Sequence, residues 1–152
     1  MKDEHLSSSK AQVVAEKEIL IEFCKRKNIQ LDQTPIYLKD CRVEIDGQSL
    51  RSSILVEVYS HVGKLSSSQI KKVLTDVLKM LFVEDSLGKK FRKKILFLDE
   101  EARNSFLGNK SWRANTFKVF GIETEVINIP KIRELVLVAQ ERQGRKFKKN
   151  KR

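Results

Sequence analysis

The sequence predicts a mixed α/β domain, a single sheet with helices on both faces. Three observations predict it. Segments with apolar residues at helical spacing alternate with short strand-like runs along the chain. The last two of those runs are joined through helices, which implies parallel crossovers. The runs before them lie close together between turn residues, which implies an antiparallel meander or hairpin. A length of 152 residues suits one domain with a core of its own.

Residues 1–9 are polar and read as a loose N-terminus. Ser9 or a neighbouring serine is placed to cap the first helix. AQVVAEKEILIEFCKRKN carries Val14, Leu20, Ile21 and Cys24 on a broad apolar face, and Asn28 is a fair stop. Pro35 opens an extended segment at 36–38. In CRVEIDG, Val43 and Ile45 alternate with Glu44 and Asp46, and Gly47 ends or turns that strand. A third strand covers 53–60, SILVEVYS. SSSQ at 66–69 caps a helix in which Ile70, Val73, Leu74, Val77, Leu78 and Leu81 recur at helical spacing, with Gly88 as its terminator. KKILFLDEE has the continuous apolar run of a strand buried on both faces. EEARNSFLG reads as a short helix, and Ser111 caps SWRANTFKVFG, which Gly121 ends. IETEVINIP is a strand closed by Pro130, and KIRELVLVAQERQ is a final helix running into a basic tail. The predicted order is α-β-β-β-α-β-α-β-α over residues 10–140, with 141–152 as the tail.

Charge narrows the function. Net charge is +11. The last twelve residues hold seven Lys/Arg and one acid, and the other 140 still carry 24 basic against 19 acidic groups. A body that is basic without its tail points to a polyanion, nucleic acid first, although a basic tail can also serve solubility alone. No apolar run approaches membrane-spanning length, and MKDEHLSSSK is not a secretory leader, so a cytoplasmic protein without a membrane partner is expected. Cys24 and Cys41 make no disulfide framework. His5 and His61 are too few for a zinc site, and no P-loop is present.

The chemistry-bearing residues sit on the consecutive strands. Leu55, Glu57 and Tyr59 share one face of strand 53–60. A carboxylate in an apolar strand is costly to bury unless paired. If Asp46 points the same way, two carboxylates meet, and they repel unless a proton or a cation lies between them. A hard divalent cation, Mg²⁺ or Mn²⁺, takes such ligands together with phosphate oxygens and would activate water against a phosphodiester. Other readings stay open. Asp46-Gly47 is a common turn pair, and Glu57 can be an edge residue paired with Arg42, Arg51 or a lysine.

Asp46 and the E-V-Y of 57–59, between an N-terminal helix and a helix–strand pair, resemble the PD-(D/E)xK nuclease superfamily, the restriction-endonuclease-like fold. The resemblance covers roughly residues 10–140. It implies that Asp46 and Glu57 hold a metal ion and that a lysine two positions after Glu57 orients water. Tyr59 stands at that position, so the resemblance makes Lys64 and Lys72 the candidates for a displaced catalytic lysine. It also gives supporting roles to Gln69 and to a carboxylate of the first helix, Glu18 or Glu22, and it allows a homodimer. DNA is the nucleic acid it implies.

Backbone phosphates would meet the GKKFRKK segment through Lys89, Lys90, Arg92 and Lys93, and the tail through Arg145, Lys146, Lys148 and Lys149. Lys110, in GNKSWR, borders a helix N-terminus that could hold a phosphate or be an ordinary cap, and Trp112 reads as packed. The expected function is a Mg²⁺-dependent DNA nuclease or a descendant of one. The alternative is a non-catalytic DNA- or RNA-binding module of the same fold.

Overall fold

The computed structural model describes residues 7–108 and 110–149, without the side chains of Lys146, Phe147 and Lys148. Its first helix, α1, spans Ser8–Lys27 between Ser7, whose hydroxyl accepts from the Lys10 amide, and Asn28 in the left-handed conformation. Two short strands, β1 (Ile36–Tyr37) and β2 (Arg42–Val43), pair only with each other. Then come β3 (Gly47–Ser49), β4 (Ile54–Tyr59) and α2 (Ser67–Leu87). Helix α2 begins with a complete capping box: Ser66 accepts from the Gln69 amide, and Gln69 accepts from the Ser66 amide. Strand β5 (Arg92–Phe97) precedes α3 (Glu100–Leu107) and α4 (Trp112–Phe120). Strand β6 (Ile122–Val126) and α5 (Pro130–Lys149) complete the chain.

The main sheet runs β3-β4-β5-β6, with β3 antiparallel to β4 and the other pairs parallel. Its two faces bury different helices. Leu55, Tyr59, Ile95 and Phe97 pack against α2, α3 and α4 through Val73, Val77, Met80, Phe106 and Phe117. Val56, Val58, Leu96 and Leu98 pack against α1 and α5 through Ala15, Ile19, Phe23 and Val136. Strand alternation sends successive β4 side chains to opposite layers, so Glu57 faces the α2 layer between Leu55 and Tyr59. A mixed sheet covered on both faces is the predicted fold class.

The strands before α2 differ from the expectation. Residues 36–46 form no strand of the main sheet; their paired parts make the separate β1–β2 ribbon. Gly47 neither ends nor turns a strand but begins β3, and the turn lies at 50–53, where Ser53 takes φ 57°. The glycine is there for close approach: a Cβ at Gly47 would lie 2.9 Å from a Leu20 methyl and 3.1 Å from a Leu31 methyl. Helix α5 continues through the basic segment as far as Lys149. Among the described residues no helix is long and apolar enough to cross a membrane.

Candidate active site

Strand β3 is short, and that shortness makes the site. Its register pairs Gly47 with Val56, so Asp46, one residue earlier, stands opposite Glu57. There β3 departs, and among the described residues the β4 edge beyond Val56 has no strand partner on that side. The Asp46 carboxylate takes the place of one: its Oδ2 accepts the Val58 amide at 2.8 Å. A backbone donor that a longer strand would have satisfied thereby fixes Asp46 beside Glu57.

Glu57 is 2% exposed. Lys79 of α2 places Nζ 3.1 Å from Glu57 Oε1 and 3.3 Å from Asp76 Oδ1, and donates to the Glu44 carbonyl at 3.0 Å. The approach to Oε1 is off the direction of a hydrogen bond, so that oxygen is buried with a charge nearby but no hydrogen-bond partner. Burial raises the Glu57 pKa to about 9, with the Asp46 carboxylate adding to the rise and Lys79 offsetting only part of it. The shift favours the protonated form of Glu57 at neutral pH, beside the Asp46 carboxylate. Burial also raises Asp76 and Glu16, and the Asp46 charge pushes both further up. Burial opposes the Lys79 ammonium, but Glu57 and Asp76 more than compensate and raise its pKa.

Lys72 lies one turn before Asp76. Its ammonium is 5.7 Å from the centroid of the Tyr59 ring and 3.9 Å from Glu16 of α1. Gln12 donates to Glu16 at 3.0 Å. Tyr59 is buried edge-on against Phe97, and burial raises its phenol pKa. Beside it opens a cleft of about 260 Å³, lined among others by Gln12, Tyr59, His61, Gln69 and Lys72. Gln69 is within 3.0 Å of His61 Nδ1, and burial lowers the His61 pKa, with the Asp99 charge opposing the shift.

The carboxylates fit a metal ion in one specific way. Among the described residues no three acidic, His or Cys side chains converge as a ligand set. The Asp46–Glu57 pair, with one buried Glu57 oxygen met by the Lys79 ammonium without a well-aligned hydrogen bond, fits the mode in which Mg²⁺ uses one or two carboxylates and completes its shell with water and phosphate. Charge points the same way: four carboxyl groups, Glu16, Asp46, Glu57 and Asp76, gather around the ammonium groups of Lys72 and Lys79, and a divalent cation would relieve the repulsion that raises Glu57, Asp76 and Glu16.

No protein-family model matches the chain, and no curated protein matches it. Among solved structures it is similar to a repair endonuclease from Pyrococcus abyssi, with 15% identity and a TM-score of 0.41. The match covers 76% of this chain and 47% of that one, so the chain spans about half the length of the protein it resembles.

Of the residues expected from sequence, the fold joins Asp46, Glu57, Tyr59 and Lys72 and puts Gln69 on the adjoining cleft. Lys64 is not brought in. It is exposed on a turn anchored elsewhere, where Gly63 donates to Asp99 and Leu65 to Ser105. Glu18 is exposed and Glu22 pairs with Arg26 at 2.9 Å; the α1 carboxylate at the site is Glu16. Glu16, Asp76 and Lys79 were missed, although a signal existed. Lys72, Asp76 and Lys79 repeat at i, i+4 and i+7 beside the apolar stripe of α2, which places three charges on one line of the helix.

The basic residues divide. Lys93 cannot meet a phosphate, because it is 4% exposed and its Nζ lies 2.6 Å from Glu84. Arg92 pairs with Glu123 at 3.3 Å, and Lys89 donates to the Leu50 carbonyl. Lys90 is 96% exposed, 3.8 Å from Glu84. Lys110, Arg145 and Lys149 are exposed, while the Lys146 and Lys148 side chains lie outside the described residues. Ser111 acts as an ordinary cap, accepting from the Ala114 amide. Trp112 is not packed; it is 62% exposed.

Proposed function

We propose that the protein is a Mg²⁺-dependent DNA phosphodiesterase of the restriction-endonuclease-like class. The observation that carries this reading is the Asp46–Glu57 pair, two carboxyl groups held opposite one another where β3 leaves β4, with Glu57 buried and the Lys79 ammonium beside its Oε1. Asp46 and Glu57 would hold the ion, which when bound supplies an activated water and a counter-charge for the phosphate. The chain's own residues do the rest. Lys79 neutralises Asp76 and fixes the Glu57 carboxyl from the α2 side. Lys72, poised over the ring at the position where the family carries its lysine, supplies the positive charge that faces substrate. Glu16 orients Lys72 from α1. The basic surface, with Lys90, Lys110, Arg145 and Lys149 exposed, supports attraction to a nucleic-acid backbone.

A second reading is favoured by one observation: Lys79 already stands as a tethered cation between Glu57 and Asp76. On that reading the site is degenerate and the domain binds DNA or RNA without cutting it. Asp46→Asn separates the two. The amide oxygen can still accept from Val58, so the fold is kept, while the ligand charge is lost. Under the nuclease reading, Mg²⁺-dependent cleavage falls by at least about a hundredfold while DNA binding in EDTA is unchanged. No cleavage by the unsubstituted protein of single- or double-stranded DNA, in Mg²⁺ or Mn²⁺, would sink the nuclease reading, and salt-sensitive binding of DNA or RNA without cleavage would establish the second.

A further inference from the structure

Helix α4 lies at the far edge of the sheet from the carboxylates, packed on β6 and α3. Its inner side is Phe117, 4% exposed and 5.2 Å from Phe106 between ring centroids. Its outer side has a composition that capping and core packing do not require. Trp112 is 62% exposed, Val119 77% and Phe120 49%. Trp112 and Val119 are seven residues apart and lie above one another, with the half-exposed Thr116 between them. Phe120 flanks that stripe on one side and the exposed Lys118 on the other. The two exposed rings are about 12 Å apart along the axis, at 1.5 Å per residue.

The segment that builds this face carries one sign of charge, with Glu100 and Glu101 before it and Glu123 after it. From Ala102 to Ile122 the chain contains Arg103, Lys110, Arg113 and Lys118 and no Asp or Glu. Arg113 is spent inside, donating to the Phe106 carbonyl and lying over the Phe106 ring. Arg103 lies 3.8 Å from Glu100. Lys110 and Lys118 are exposed at opposite ends of the helix.

Exposed aromatic rings between cations match the chemistry of an unpaired polynucleotide strand, which offers base faces for stacking and phosphates for the ammonium groups. A duplex hides its base faces, and an acidic peptide has no comparable row of flat rings. We infer that the outer face of α4 is a docking surface for single-stranded DNA, with bases on Trp112 and Phe120 and the backbone on Lys110 and Lys118. This rests on the proposed nucleic-acid function but not on catalysis. The surface would hold a single-stranded part of the substrate away from the carboxylates.

Trp112 is the chain's only tryptophan, so its fluorescence reports on this face alone. The test titrates the full chain, in EDTA and without metal, with oligo-dT, oligo-rU and a blunt duplex. Expected are quenching by oligo-dT that weakens steeply with salt, and little quenching by duplex. Labelled oligo-dT should bind Trp112→Ala and, separately, Val119→Glu about tenfold more weakly. Trp112→Phe should keep much of the affinity. Circular dichroism confirms that each variant is folded. Absence of quenching, equal affinity of the alanine variant, or preference for oligo-rU overturns the inference. So does a concentration-dependent dimer that Trp112→Ala abolishes, since the face would then meet a second copy. Quenching without any cleavage sinks the nuclease reading and leaves this one standing. Cleavage without quenching does the reverse.

Discussion

Replacing Glu57 by glutamine tests the electrostatic heart of the site. Glu57 titrates near 4.5 in an ordinary setting and at about 9 in the fold. Between those values the folded chain keeps a proton that the unfolded chain gives up. The sign follows: stability falls as pH rises, by at most about 1.4 kcal/mol per pH unit. From about pH 5.5 to pH 8.5 the upper limit is roughly 4 kcal/mol. Water entry and adjustment of Lys79 reduce this, so we expect about 2–4 kcal/mol. Glutamine keeps the shape and cannot ionise. Urea unfolding of both proteins across that range therefore isolates Glu57, because the titrations of His61, Asp76 and Glu16 are largely common to the two. The stability of Glu57→Gln relative to wild type should climb steadily with pH. A difference constant within about 0.5 kcal/mol would refute the reasoning, since Glu57 would then be ionised in the fold throughout. Mg²⁺ should flatten the wild-type slope and leave that of the variant unchanged, a readout that needs no activity.

Lys93→Ala should destabilise the protein by about 1–3 kcal/mol in thermal or urea unfolding, because it leaves a buried gap and removes the near ammonium from Glu84, which keeps the Phe91 amide and the exposed Lys90. The same change should leave the salt dependence of DNA binding unaltered, as Lys93 is internal. Met80→Ala, at a position with no exposed surface, should cost about 2–5 kcal/mol by the same measurement. Ser66→Ala removes the capping box of α2 and should cost about 1 kcal/mol. Lys72→Ala should depress Mg²⁺-dependent cleavage while changing stability by less than about 1 kcal/mol, since its pair with Glu16 is half exposed.

Local patterns determined much of this protein. Caps and terminators at Ser66, Gly88, Ser111 and Gly121 are written in single residues and their neighbours, and all appear where the sequence puts them. The apolar run of β5 required a strand buried on both faces, and it is one. The Asp46–Glu57 pairing was one of several arrangements that strand alternation allowed, beside an Asp-Gly turn and an edge-exposed Glu57, and the register of β3 decides for it. The rest depended on distance in sequence. Gly47 is a packing glycine only because Leu20 of α1 lies over it, which no local reading of Asp-Gly contains. Lys93 is buried because Glu84 reaches it from α2, although its surrounding sequence resembles a solvated basic loop. Lys79, and not Lys64, meets Glu57 because α2 packs on the sheet face that carries Glu57, while Lys64 lies on the exposed turn before that helix. Periodicity assigns a residue to a face, but only packing between elements decides which face meets which. At a site built from β3, β4, α1 and α2, that tertiary choice selects the cations.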